Sequence, residues 1–363
     1  MLTSRENFLL MMGHEQPQRL PFDLPATPPV IDLIEQKTGT RDIVKAFDTD
    51  FRECGPRFPG DPARWRSTFA DLGLQIPENA EIDGAGCTHV PPPPGSTGKA
   101  YHFREMLHPL SVIEDVKQLE ELPWPDLDNP AAGKGLPERI AEIRIEGKVA
   151  IASMECTVFE AAWYVRGMDN LFGDLIEENG IADWLLDWYM ERSVRMARIA
   201  AAAGVDVIGL GDDVGTQRGM MMSVEFWREH LKPRLKKVID AIRAAQTRHV
   251  YVRYHSDGDI RLIIDDLVEI GIDILNPVQP ECMPVEEVVS KHKKDLAFWG
   301  MVGTQTTMPF GTPEDIRAVV AGCASLARRG TAVIVSPTHV LEPDVSWENI
   351  EALVEAVRDV KLC

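Results

Sequence analysis

From Lys148 onward, short apolar runs alternate with stretches whose apolar residues recur every third or fourth position. Apolar runs bounded by turn formers read as buried strands, and the longer periodic stretches read as amphipathic helices. On that pattern Lys148–Ser153, Val205–Leu210, His249–Tyr254, Ile272–Asn276, Leu296–Gly300 and Ala332–Ser336 are strands. Between and after them lie the helical patterns Val158–Glu178, with a break near Gly167, Ile181–Ala203 and Ser223–Ala245, with Ser223 as N-cap. Ile260–Ile270, Pro284–Lys293, Pro313–Arg328 and Trp347–Val360 follow, Pro313 standing at a first helical position.

Six strand-then-helix units in succession predict a parallel sheet, because parallel neighbours need a crossover and a helix supplies it. Upstream, Pro21–Leu24 and Thr49–Arg52 add two candidate strands, accompanied by helical patterns at Arg5–Met12, Pro29–Lys37 and Arg41–Phe47. Eight units predict an α/β fold of the (β/α)8 TIM-barrel type, a single domain over residues 1–363. The alternative is an open doubly wound sheet, but no GxGxxG turn follows an early strand. Residues 54–102, rich in Pro and Gly and containing Pro91-Pro92-Pro93-Pro94, form an excursion, read either as a surface loop or as a lid over the barrel mouth.

Composition narrows the partners. A formal charge of −19 argues against nucleic acid or an anionic membrane surface. The apolar block Phe8-Leu9-Leu10-Met11-Met12 is too short for a signal sequence or a membrane span. Six scattered cysteines without a CxxC pair suit reduced thiols, so the expected location is cytoplasmic. Cys323 falls mid-helix and reads as core, and Cys282, in a loop after a strand, is a weak ligand candidate.

Barrel enzymes keep their chemistry where strands end. The positions after the predicted strands are Asp23, Glu155, Asp212 with Asp213, His255 with Asp257, Asn276 with Gln279, Thr304 with Gln305, and His339. His255 and Asp257 are two positions apart, so on extended backbone they share a side, and His339 would reach the same mouth from the last strand. Two imidazoles and a carboxylate can hold Zn2+ with a position left for substrate. The alternative is that His255 caps a helix or fills a polar turn and His339 is a lone general acid. Asp212 and Asp213 are adjacent, so at most one points cleanly into the mouth, and the other is left to turn formation. Glu155, after small and apolar residues, would be partly desolvated with a raised pKa suited to acid or base work, or else simply charge on a helix's first turn.

Several strings resemble the uroporphyrinogen decarboxylase superfamily, in particular its branch of corrinoid-linked methyltransferases and their relatives. They are Ser4-Arg5-Glu6-Asn7 with Pro17-Gln18-Arg19-Leu20-Pro21, Asp212-Asp213-Val214-Gly215-Thr216-Gln217, His255-Ser256-Asp257-Gly258 and Asn276-Pro277-Val278-Gln279. Gly303-Thr304-Gln305, Pro309-Phe310-Gly311-Thr312-Pro313-Glu314 and Pro337-Thr338-His339 complete the set, which runs essentially end to end. The resemblance implies a (β/α)8 barrel with its site at the mouth. Decarboxylases of uroporphyrinogen carry an early Arg-rich motif of the type RQAGR, where this chain has Phe22-Asp23-Leu24-Pro25-Ala26-Thr27. Without those guanidiniums a polycarboxylate substrate would go unpaired. In the coenzyme M methyltransferases, zinc is held by a His-x-Cys pair and a distant Cys. Here the corresponding residues are His255-x-Asp257 and His339, a harder set suited to Lewis-acid activation.

The expectation is therefore a methyltransferase that moves a methyl group from a small O-, N- or S-methyl compound to a corrinoid carried by a partner protein. Zinc would sit on His255, Asp257 and His339, with Glu155, Asp212 and Asp23 in the chemistry and Asp213, Gln217, Asn276, Gln279 and Gln305 binding substrate. A homodimer is compatible with this reading. The alternatives are a metal-free decarboxylase using His339 and Asp23, and a catalytically silent barrel that binds a corrinoid or tetrapyrrole.

Overall fold

In the computed structural model, which describes residues 2–92, 101 and 105–362, seven strands form one curled parallel sheet in chain order. They are Phe51–Glu53, Val149–Glu155, Val207–Gly211, Tyr251–His255, Ile274–Asn276, Ala297–Trp299 and Val333–Ile334. Their residues are buried on both faces almost throughout, as expected for a parallel sheet covered by crossover helices.

Both edge strands bond to the same upstream segment. Asp23 N–H donates to the Val335 carbonyl at 3.0 Å and Val335 N–H to that of Pro21 at 2.9 Å, while Asp50 N–H donates to Phe22 at 2.9 Å. The segment expected as the strand Pro21–Leu24 is thus reduced to a bridge between Phe22 and Val335. Pro21 and Pro25 explain the shortness, since neither has an N–H to extend a ladder.

The helices follow the periodicity, with boundaries set by local chemistry. Ile181–Ala203 and Pro313–Arg328 lie where expected, the second opened by a Thr312–Asp315 capping box. The pattern Ser223–Ala245 divides into Val224–His230 and Lys232–Ala245. Pro233 lacks the N–H that a continuous helix would donate one turn back, so the chain restarts at Leu231. Gly167, at φ 85°, makes the predicted break between Phe159–Arg166 and Met168–Glu177.

The excursion is more structured than a loop. It contains the helix Pro62–Asp71 and the strands Glu81–Ile82 and Thr88–Val90, which form a three-stranded antiparallel sheet with Glu105–Leu107 just beyond it. Trp65 fastens it to the body, edge-on to Trp124 with centroids 5.1 Å apart. Pro93 and Pro94, and with them much of the segment on which a lid would depend, lie outside the described residues. No helix among the described residues is long and apolar enough to cross a membrane.

Strand pairing then fixes the site. Glu155, Gly211, His255 and Asn276 occupy one register row at the carboxyl ends, and Ser153, Gly209 and Arg253 occupy the row two residues below. The strands run further toward the mouth than their apolar cores suggest, so Glu155 and His255 are last strand residues, not turn residues. Below these rows Phe8, Phe51 and Tyr251 pack edge to face, closing the opposite end of the core.

Candidate active site

His255, Asp257 and His339 each offer a ligand atom, and these atoms all lie within 4.8 Å of one another. The strand ending at His255 supplies the first, and the turn after it supplies the second. Gly258 permits that turn: at φ 85°, a Cβ there would stand 2.6 Å from the backbone of Gly215 and of Thr216. The turn is held by Val214 N–H on Ser256 Oγ at 3.1 Å, Asp257 N–H on Asp213 Oδ1 at 2.8 Å, and Gly258 N–H on Gln279 Oε1 at 3.1 Å. His339 arrives from the segment after the last strand, its ring centroid 6.1 Å from that of His255.

Asn276 sets the tautomer of His255. Its Nδ2 donates to the Trp299 carbonyl at 2.9 Å, which turns its Oδ1 to His255 Nδ1, 2.7 Å away. Nδ1 therefore carries a hydrogen, and in the neutral ring Nε2 is the acceptor, 3.8 Å from Asp213 and 3.9 Å from Asp257. Asp257 Oδ1 is buried and has no hydrogen-bond partner among the described residues. Burial raises the Asp257 carboxyl pKa against the pull of both imidazoles. Burial also opposes a charge on His255, but the carboxylates of Glu155, Asp257 and Asp213 outweigh it and lift its pKa to about 9. The cluster thus favours a positive charge at its centre, which a proton or a divalent cation can supply. An orphaned carboxylate oxygen facing an acceptor nitrogen is a donor set that fits Zn2+.

Two cavities meet at His339. One, of about 200 Å3, is lined by Asp23, Glu53, Glu155, Arg253, His255 and His339 among others. The other, of about 360 Å3, is lined by Asp213, Asp257, Gln279, Thr304, Gln305 and Phe310 among others. Of the expected substrate contacts, Asp213, Gln279 and Gln305 do line a cavity wall. Asn276 also borders the first cavity, but its amide is committed to His255 and Trp299.

Three expectations are corrected. Asp212 is buried, and its carboxylate accepts from the Val158 and Glu160 amides at 3.1 and 2.8 Å. It caps the helix that follows Glu155 and lines neither cavity. Burial pushes its carboxyl to about 8 although those amides favour the ion. Gln217 is exposed in a hairpin turn outside both cavities, where it accepts a 3.0 Å bond from the Cys282 thiol. Glu155 has a lowered pKa, not a raised one: burial opposes ionisation, but the Arg253 guanidinium pairs with it directly and prevails.

Arg253 and Glu53 had escaped notice. Arg253 lies 4.7 Å from the Trp299 ring centroid and donates to Ser153 Oγ at 3.2 Å as well as to Glu155. Gly209 leaves the space for it, since a Cβ there would stand 2.9 Å from the guanidinium. Residues 253, 255 and 257 alternate inward, so the same period of two that paired His255 with Asp257 also marks Arg253. Glu53 ends a strand, and water reaches it through the cavity. Even so, the surrounding protein desolvates it and lifts its carboxyl to about 7, with Arg253 pulling the other way. Burial likewise raises Asp23 to about 6, against Arg253 and the Leu24 amide.

The fold and site define an α/β protein of the class that gathers polar groups at the carboxyl ends of parallel strands. The uroporphyrinogen decarboxylase (URO-D) family matches residues 103–360, and the chain belongs to that family. It is 33% identical over 97 residues to a uroporphyrinogen decarboxylase of Hydrogenobaculum sp., a match covering 27% of this chain and only about a quarter, 26%, of that protein. A methyltransferase from Methanosarcina mazei has a similar fold, with a TM-score of 0.62, 17% identity and 99% of each chain covered.

Proposed function

We propose that the chain is a methyltransferase that moves a methyl group from a small O-, N- or S-methyl compound to the cobalt of a corrinoid on a separate protein. The bridged sheet is read as the (β/α)8 barrel that frames its mouth. The observation that carries the proposal is the convergence of two imidazoles with a buried, unpartnered carboxylate oxygen between two cavities. His255, Asp257 and His339 would hold a divalent cation such as zinc, which supplies Lewis-acid stabilisation of the leaving group.

The chain's own residues do the rest. A reduced corrinoid, when bound, would supply the electron pair that accepts the methyl group, while the heteroatom of a neutral donor would keep the pair of its broken bond to the methyl carbon and need one proton. Glu53 and Asp23, with pKa near neutrality, are the groups able to give it. Arg253 holds Glu155 ionised and stacks on Trp299, orienting the wall that faces His255. Asn276 keeps the His255 acceptor nitrogen turned toward Asp257.

A second reading, metal-free decarboxylation, draws support from Asp23 and Glu53, proton carriers beside an Arg253 whose buried Nε has no partner among the described residues. In it the guanidinium would take the substrate carboxylate, and Asp23 or His339 would protonate the carbanion. The test is titration of the purified chain with cob(I)alamin and a panel of methyl donors, following methylcobalamin absorbance. Methylcobalamin formation that is lost in His255→Ala supports transfer. Carbon dioxide release without it supports decarboxylation, and corrinoid binding with neither identifies a silent binding barrel.

A further inference from the structure

The cavity holding His255 and His339 shares part of its lining with a neighbouring groove. Glu53 and Ser153 line both that cavity and this groove of about 380 Å3. The groove also carries Arg57, Lys134 and Arg139. In a chain of formal charge −19, this groove sets three cations against a single lining carboxylate, Glu53, which reverses the local sign. Arg139 pairs with the exposed Glu142 at 3.1 Å. Among the described residues, neither Arg57 nor Lys134 lies within ion-pair distance of a carboxylate.

Main-chain bonds hold the cations together. Arg57 N–H donates to the Ala132 carbonyl at 3.0 Å, tying the loop after the first strand to the turn Pro130–Gly133. Lys134 follows that turn directly, and Gly135 then opens the helix Leu136–Ile145 without any side-chain cap.

Resting on the methyl-transfer reading, we propose that this groove binds an oxyanion at the far end of the substrate, a carboxylate or a phosphate, while the methyl-bearing end lies beside His255 and His339. One exposed ion pair contributes little, but guanidinium and ammonium groups converging on one oxyanion form several charge-assisted bonds at once. The substrate class is then a methylated compound that is anionic at the end remote from the transferred methyl. In an acidic protein such a tail needs a dedicated cationic seat, and this groove supplies one next to the site.

The test is calorimetric titration of the full-length chain with inorganic phosphate and, separately, with acetate. It compares wild type, the triple variant R57Q/K134Q/R139Q, and His255→Ala. All three substitutions in the triple variant are exposed, and an unchanged melting temperature will confirm its fold. The expected result is saturable binding by wild type and His255→Ala, weakened about tenfold or more in the triple variant. A preference for phosphate assigns a phosphoryl tail, and a preference for acetate assigns a carboxylate. Binding that is lost in His255→Ala but intact in the triple variant would place the anion at the imidazoles and overturn the proposal. So would the absence of saturable binding in wild type. Because the readout is binding, a failure of methyl transfer leaves the groove's result intact and separately legible.

Discussion

Asn276 Oδ1 lies 2.7 Å from His255 Nδ1, and the same amide donates to the Trp299 carbonyl at 2.9 Å. One buried side chain thereby decides which imidazole nitrogen faces Asp257 and Asp213. Asn276→Leu removes that decision without adding a charge. Loss of such an outer partner costs roughly 10- to 100-fold in metal affinity, which zinc competition against a chromophoric chelator will measure. Unchanged affinity would show that Asn276 does not orient the ring.

Asp212 is expected to matter for stability and not for chemistry. Asp212→Ala strands the Val158 and Glu160 amides at the start of a buried helix, a loss of about 1–3 kcal/mol. Urea denaturation should show this, with turnover per folded molecule close to wild type. A large fall in turnover at unchanged stability would restore Asp212 to the catalytic set.

Glu53 and Asp23 make stability depend on pH in a definite direction. Both have folded-state pKa values, about 7 and about 6, above those of an unfolded chain, so the folded protein binds more protons between about pH 4 and pH 7. Their contribution is fully present below the unfolded pKa and is lost as pH rises through the folded values. Melting temperature followed from about pH 5 to about pH 8 should therefore fall less in Glu53→Gln than in wild type. Parallel curves would remove Glu53 from the list of neutral-range proton carriers.

Arg253→Gln leaves Asp23, Glu53 and Glu155 around one cavity without their shared cation. Breaking a fully buried pair costs about 3–5 kcal/mol, but Glu155 is 41% exposed, so the loss should lie nearer the roughly 1 kcal/mol of accessible pairs. The sharper effect is on ionisation: the Glu155 pKa should rise, visible by carboxyl-edited NMR. A Glu155 that stays ionised at the same pH would mean that the two imidazoles hold it charged.

The strand-and-helix order was legible because parallel strands buried on both faces leave continuous apolar runs, and Ile181–Ala203 shows the same clarity for helices. The eighth strand was overread, since apolar character around Phe22 does not reveal that flanking prolines limit its ladder. His255, Asp257 and His339 were legible from period and position. Which of two adjacent aspartates faces the mouth was not, because Asp212 answers to amides more than fifty residues away in sequence. Glu155 was misread for the same reason: its protonation depends on Arg253, a partner across two strands. Gln217 sits in a hairpin that turns away from the cavities, and nothing in its own string announces that turn.

The most direct measurement is anomalous X-ray diffraction at the zinc edge on crystals of the protein grown with zinc. The account predicts one strong peak bounded by His255 Nε2, Asp257 Oδ1 and the His339 ring, absent from His255→Ala crystals prepared in the same way. A map without density there, or a peak seated elsewhere on the chain, would contradict it.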